Sequence, residues 1–338
     1  MINIDGSFGS GGGQILRTAL ALSAFSGKAF TLEKIRAGKP NPGLQAQHCT
    51  CVSAVQEICG ANVKGNEIGS QTLTFEPGAV KAGDYAFDVG TAGSCALVFQ
   101  SIFLPLALAK EPSRITITGG THVKWAPTAD YVEKVFLPSI KSDSSFRVLQ
   151  HGFYPQGNGV VEAEINPFEI KPIRFTERGK LKKITGASAV ANLPLDIAKR
   201  QKLAALKKLP DFDAKIVEET VTARSPGTFV FLLAEYENAI AGFSALGAKG
   251  KGAEEVGREA ADAFLRFNSS NACTDEHLGD QLIPFMALAK GKSEIRALLT
   301  PHLLTNVKTC GQFLDCKFEI EGNAGEVGIV SIEGIGFK

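Results

Sequence analysis

Apolar residues fall into three helix-length blocks, each followed by a short turn and then an extended stretch. Residues 107–122 read ALAKEPSRITITGGTH, and residues 287–302 read ALAKGKSEIRALLTPH. The two align without a gap at an offset of 180, sharing Ala-Leu-Ala-Lys, the Ser, the Ile and the final His. A looser copy runs from Ala19-Leu-Ala-Leu22 through Ser26-Gly-Lys28 to residues 30–36. The pattern predicts one helix–turn–strand module used three times. Each copy places a polar residue near a strand end: Arg36, His122 and His302. If the modules pack around a common centre, the three ends face one site.

Around these modules, a strand is expected at 2–4 and a helix over 14–25. A further helix holds Gln47 and His48. Strands at 71–75 and 84–89 read as a pair, and 114–118 and 160–165 as two more. A helix covers 131–137 and another covers 278–289, and the chain closes with strands at 316–320 and 327–332. Composition shifts over 179–272, which is more charged. It reads as βαββα, with a strand at 184–191, a helix starting at Pro194, and a hairpin of 228–235 with 239–246. Its last helix carries Val256, Ala260, Ala263, Phe264 and Phe267 on one face. The expected organisation is a body of residues 1–178 and 273–338, interrupted by a small domain at 179–272.

The 338 residues suffice for two domains and a large core. A net charge of +1 excludes a global basic field, so a nucleic-acid partner would be held locally or by a few nucleotides. Seven cysteines, an odd number without a CxxC pair, point to free thiols in a reducing cytoplasm. No secretory signal is expected. Residues 89–109 are long and apolar enough to span a bilayer. Gly90, Gly93, Ser94 and Pro105 within them favour a buried helix, so no membrane association is expected.

Chemistry concentrates at a few positions. The Gly-rich stretch 5–13 opens a helix, a setting that suits an anion or merely close packing. It lacks the Gly-Lys-Ser/Thr ending of a phosphate-binding P-loop. Arg17, one turn into an apolar helix, needs either a ligand anion or a carboxylate. Gln100 and Asp280 occupy equivalent positions on apolar helices, where each needs a partner or a role. A neutral His302 is a competent nucleophile toward phosphorus. Arg17, Arg36 and the Gly-rich loop would neutralise the phosphates, and Asp280 would hold the ring. On spacing alone, a hydrogen-bonded structural histidine remains the commoner outcome.

Several ordered motifs carry a resemblance over essentially the whole chain. They are Asp5-Gly6, Gly11-Gly-Gly-Gln-Ile-Leu-Arg17, Ile35-Arg-Ala-Gly38 with Pro42-Gly-Leu44, and Gln47-His48. Further on stand Gly93-Ser94 with Gln100, Gly119-Gly-Thr121, Ala126-Pro127 and His151-Gly-Phe-Tyr-Pro155. Leu278-Gly-Asp-Gln-Leu282 and His302-Leu-Leu-Thr-Asn306 complete the set. The chain resembles the RNA 3′-terminal phosphate cyclases. The resemblance implies an α/β (α+β) fold. Its large domain would hold three repeated units, each with a four-stranded sheet and two helices, similar to the C-terminal domain of translation initiation factor three. A smaller βα domain would be inserted.

The resemblance also implies a reaction. His302 would take AMP from ATP, AMP would pass to an RNA 3′-phosphate, and the 2′-hydroxyl would close a 2′,3′-cyclic phosphate, with a divalent metal (Mg²⁺ or Mn²⁺) assisting. It assigns ATP binding to Gln100, Pro127, His277, Leu278, Gly279, Asp280 and Gln281, with Pro127 and His277 flanking the adenine. It assigns the phosphate or RNA end to Arg17, Arg36, Gln47 and His48. The chain departs from the family pattern at Ser10, where a metal-binding Glu is usual, and at Ala46, where Arg is usual. His277 stands for a usual Tyr, and Asn158 for a usual Gly. The alternative is a non-catalytic, cyclase-like protein that binds RNA or a ribosome-assembly partner. The enolpyruvyl transferases, built from similar repeats, would need more Lys and Arg around the site.

Overall fold

The computed structural model describes residues 1–337. The first unit contains β1 (Ile2–Asp5), α1 (Gly13–Ser26), β2 (Phe30–Glu33), α2 (Ala46–Cys59), β3 (Asn62–Lys64) and β4 (Leu73–Glu76). Its sheet runs β1-β2-β4-β3, with β1 and β2 parallel and the other pairs antiparallel. Helix α1 ends at Gly27, whose left-handed φ of 71° lets its N–H reach the Ser23 carbonyl.

The second unit contains β5 (Asp84–Asp88), α3 (Cys95–Ala107), β6 (Ser113–Gly119), α4 (Ala129–Tyr131), a π-helical turn at Val132–Phe136, α5 (Leu137–Ser139), β7 (Ser145–Gln150) and β8 (Gly159–Ile165). Its sheet, β5-β6-β8-β7, repeats the first topology with one parallel pair. Helix α3 buries nearly every residue, with the Ser94 hydroxyl accepting from Leu97 N–H at its start.

The third unit starts with β9 (Arg174–Phe175) and is then interrupted. The interruption holds β10 (Leu181–Ala191), α6 (Leu195–Lys208), β11 (Ala214–Thr220), β12 (Gly227–Tyr236), β13 (Ile240–Leu246) and α7 (Ala253–Ser269). These strands form a separate sheet, β11-β10-β12-β13, over its own apolar core. The third unit resumes with α8 (Leu278–Leu288), β14 (Lys290–Leu298), α9 (Pro301–Phe313), β15 (Lys317–Glu321) and β16 (Val327–Ile335). Its order, β9-β14-β16-β15, matches the other two units, with β9 parallel to β14. The three-unit expectation therefore holds at the level of strand order and sense.

The units share one core, because α1 packs on α2, α3 and α9, and α8 packs on α9. Aromatic side chains tie the second unit to the third: Phe103 of α3 lies 6.1 Å from Phe285 of α8, and Phe136 lies 5.8 Å from it. Among the described residues no helix is long and apolar enough to cross a membrane.

Some expected elements differ. The strand expected over 30–36 stops at Glu33, because Lys34 and Arg36 adopt left-handed φ of 51° and 54° and turn the chain. Residues 71–75 and 84–89 do not pair; β4 joins the first sheet and β5 the second. The inserted sheet has a fourth strand, β11, parallel to β10. His302 is not at a strand end: β14 stops at Leu298, and His302 lies in the first turn of the unexpected helix α9.

Arg178 closes the joint between body and inserted sheet. Its guanidinium donates to the carbonyls of Phe267, Asn268, Ser270 and Ala272, capping the C-terminal end of α7. It also lies 4.7 Å from the Tyr236 ring and 4.6 Å from that of Phe267. A charged donor on helix-end carbonyls complements the helix dipole. Arg178→Ala should lower stability by about 2–3 kcal/mol, read from urea midpoints. Arg178→Lys should recover only part of the loss, because an ammonium lacks the planar fork.

Candidate functional site

Helix N-termini define the candidate site. Gln14 is the second residue of α1, His302 the second of α9, and Asp280 the third of α8. The three side chains meet: Gln14 Nε2 donates to Asp280 Oδ2 at 2.5 Å, and Gln14 Oε1 lies 2.6 Å from His302 Nδ1. Two more helix starts join through side chains. His48 in the first turn of α2 packs against Gly13, and Gln47 Oε1 accepts from the N–H of Ser94 at the head of α3. Helix starts leave unpaired N–H groups and positive potential, so their convergence favours an anion with several negative oxygens.

The bonds of Gln14 determine what His302 can do. Its amide nitrogen faces two acceptors, Asp280 Oδ2 and the His302 carbonyl at 3.1 Å. Its oxygen must therefore face the imidazole, so His302 Nδ1 carries the proton and Nε2 keeps its lone pair. Burial, followed by the charges of Arg17, His277 and Lys39, lowers the His302 pKa and favours the neutral ring. The imidazole is otherwise exposed. Asp280 was expected to hold this ring; it does so only through Gln14, which sequence reasoning did not single out. Asn306 buttresses the arrangement, donating to the Asp280 carbonyl at 2.8 Å while accepting from Thr18 at 2.8 Å.

His48 shows the opposite tautomer. Its Nδ1 accepts from the Gln45 N–H at 3.0 Å, which leaves Nε2–H as a donor. Burial, then Arg17 and Arg36, depress its pKa to about 3, so the ring is neutral. Its Nε2 and one Arg17 terminal nitrogen both crowd Gly13, where a Cβ would lie 2.3 Å and 2.7 Å from them. Among the described residues Arg17 makes no ion pair within 4 Å with any Asp or Glu; Cys51 and Asp280 are the opposing groups that raise its pKa against burial. Arg36 donates to the Asn41 carbonyl at 3.2 Å, while its Nε is buried without a partner among the described residues. Arg17 and Arg36 both act on His48 through their charges, and Arg17 acts on His302 as well.

The remaining expected residues lie on α3, on and just before α8, and in the loop before α4. Gln100 donates to Gln281 Oε1 at 2.6 Å, and Gln281 donates to the His277 carbonyl at 2.6 Å. Leu278 and Gly279 are buried at the start of α8, where a Cβ on Gly279 would crowd Ala297, Leu303 and Thr274. His277 projects into solvent, with its ring 6.4 Å from that of Tyr131. Pro127 lies in the loop that leads to Tyr131 and is half-buried. Asp275, absent from the expected site, is a hub. It accepts from Tyr131 OH at 2.7 Å, from the N–H groups of His277 and Leu278 at 3.0 and 2.9 Å, and from Gly242 N–H of the inserted sheet at 3.1 Å. The buried acidic residue just before α8 was the available signal.

His122 does not join the site. It is buried, bonded to Asp130 at 2.9 Å and to Thr121 at 2.9 Å, and stacked 4.0 Å from Phe229 of the inserted sheet. In the third unit the chain enters α9 two residues after β14. In the second it wanders through residues 120–128 before α4, so the aligned histidines diverge.

The residues present do not make a divalent-cation cage. Ser10, the position expected to carry a carboxylate in the family, has a buried hydroxyl with no partner among the described residues, and its N–H donates to Thr305 Oγ1 at 3.2 Å. Asp280 is already engaged by Gln14. Among the described residues no cluster of three or more His, Cys, Asp or Glu could hold a metal.

Residues 8–320 match the family model described as RNA 3′-terminal phosphate cyclase. A protein named RNA 3′-terminal phosphate cyclase from Pyrococcus furiosus is 42% identical, covering 98% of each chain. One of the same name from Caldivirga maquilingensis is 45% identical, covering 94% of each. Among solved structures, the enolpyruvyl transferase NikO from Streptomyces tendae covers 99% of this chain and 48% of its own. Its TM-score is 0.38 at 13% identity.

Burial pushes the Asp280 pKa up to about 7, against the pull of His277 and Arg17. The folded protein holds this proton to about pH 7, whereas the unfolded chain releases it near the ordinary 3.8. This contribution to stability is complete below that lower value and is lost as pH rises toward 7. Asp280→Asn, which keeps an acceptor for Gln14, should flatten the decline. Urea midpoints for both proteins across this range provide the measurement.

Proposed function

Because the chain belongs to the RNA 3′-terminal phosphate cyclase family, we propose that His302 Nε2 is the nucleophile of an ATP-dependent cyclisation of RNA 3′-phosphates. The observation that carries this reading is the Gln14 bridge, which leaves the Nε2 lone pair directed away from the ring's one side-chain partner among the described residues.

In the first step Nε2 attacks the α-phosphorus of ATP. An N–P bond forms, the bond to the β-phosphate oxygen breaks, and pyrophosphate leaves. The ring becomes cationic, and its Nδ1–H bond to Gln14 strengthens. An oxygen of the RNA 3′-phosphate then displaces the imidazole from phosphorus, returning His302 to neutrality. Finally the neighbouring 2′-hydroxyl attacks the RNA phosphorus, a new O–P bond forms as the bond to the AMP oxygen breaks, and the hydroxyl proton passes to the departing AMP phosphate or to water. Arg17, Arg36, the His48 Nε2–H and the converging helix starts supply positive potential and donors for both phosphates. Gln47 gives its oxygen to the head of α3, which positions that helix, and its amide nitrogen would donate to the phosphate or RNA end.

On this reading Pro127 and His277 flank the adenine, and Gln100, Leu278, Gly279, Asp280 and Gln281 shape that pocket. A divalent ion would enter with the ATP phosphates rather than occupy a prebuilt protein site. Residues 1–178 and 273–338 act as the catalytic body, with 179–272 as an inserted domain whose Gly242 touches the Asp275 hub. Seven free cysteines support a reducing, cytoplasmic setting. The non-catalytic alternative is disfavoured because the nucleophile and its positioning residues are all present.

The test uses ATP labelled on its α-phosphate, without RNA, in Mg²⁺ or Mn²⁺. Wild-type protein should take an acid-labile, alkali-stable label, and His302→Ala should take none. Gln14→Leu should label about 10–100-fold more slowly, since its ring can adopt the other tautomer. An unlabelled, folded wild type that still binds RNA would favour the non-catalytic alternative.

A further inference from the structure

The chain has one tryptophan, Trp125, and it is 95% exposed. A large aromatic left in water needs a reason when its loop is well held. Here the flanking Thr121, His122, Thr128 and Ala129 are buried. Thr121 N–H donates to the Gly152 carbonyl at 2.9 Å, Ala129 N–H to the Thr121 carbonyl at 3.0 Å, and the Thr128 and Ser244 hydroxyls lie 3.0 Å apart. Trp125 itself has a left-handed φ of 61°, a costly conformation for a bulky side chain. The loop is therefore built to present this ring.

Its place in the fold limits what the ring can meet. Pro127 is two residues away, and the same segment leads into Tyr131, which bonds Asp275 beside His277. Lys124, next to Trp125, is exposed. The next most exposed aromatic, Tyr154 at 80%, sits on the adjoining loop, whose Gly152 N–H donates to Thr121 Oγ1 at 3.0 Å. With a net charge of +1, long-range electrostatics supply little grip on RNA. A π face beside one cation is the other established means of holding a single strand.

We propose that Trp125 is a stacking platform for a base of the RNA strand near its 3′ end, at the rim of the nucleotide site. This inference rests on the cyclase reading for its substrate class but not on any catalytic step. It makes Trp125 a substrate-binding residue that the adenine pocket does not include.

Because no other tryptophan is present, intrinsic fluorescence reports on this ring alone. Titrating the full-length protein with a short single-stranded RNA ending in a 3′-phosphate should quench the emission saturably, and ATP alone should not. Trp125→Asn removes the ring but keeps a residue that tolerates the left-handed backbone. It should raise the KM for RNA about tenfold, leaving kcat and the KM for ATP unchanged, and Trp125→Tyr should restore most of the loss. Unchanged emission with RNA, an unchanged KM for RNA in Trp125→Asn, or a rise in the KM for ATP instead would each overturn the proposal. Labelling of His302 by ATP without RNA separates the two claims. A wild type that labels and cyclises but shows none of the Trp125 effects loses only the platform. One that is quenched by RNA yet never labels keeps the platform and loses the catalytic reading.

Discussion

The arrangement depends on one amide. The starts of five helices are linked through side chains, and their dipoles put positive potential where they meet. Gln14 is neutral and can both donate and accept, so it links Asp280 to His302 without adding charge. A carboxylate at position 14 could not donate to Asp280, and an ammonium could not accept from the imidazole. The same geometry sets the proton on Nδ1 and leaves Nε2 free. The nucleophile is thus a consequence of how three helix starts are joined.

The repeat architecture explains why such a site exists in this fold. Each unit pairs its first two strands in parallel and so requires a helical crossover, which delivers helix starts to one end of each sheet. Two of the units, the first and third, supply the reactive cluster through α1, α8 and α9. The second supplies α3 and the loop carrying Trp125 and Pro127. Asp275 ties that loop, α8 and the inserted sheet together, so the insertion is coupled to the site through a buried carboxylate and not merely appended.

The sheets and the apolar helices were legible because their patterns are strong: α3 and α8 are apolar throughout, and β6 and β14 alternate. The chemistry was partly legible. Asp280, Gln100 and Arg17 stood out as polar groups on apolar helices and His302 as the last residue of the repeated module, and the structure brings Asp280 to His302 through Gln14. Helix α9 was hidden because its buried face contains Thr305, Asn306 and Thr309, which blur the apolar period. Thr300 followed by Pro301 was the signal for its start. Gln14 looked like an ordinary residue of a helix start, since the partner that gives it meaning is 288 positions away. His122 misled for the converse reason: an offset that aligns helices and strands says nothing about the loop that follows them.

The central claim is a proton's location, and nitrogen-15 NMR of the imidazoles reads it directly. The chain has only five histidines, and His302→Ala assigns the relevant signal. At neutral pH the account predicts a neutral His302 protonated at Nδ1, with the Nε2 shift of an unprotonated nitrogen. It also predicts His48 as the opposite tautomer in the same spectrum. A His302 ring protonated at Nε2, or at both nitrogens, would contradict it.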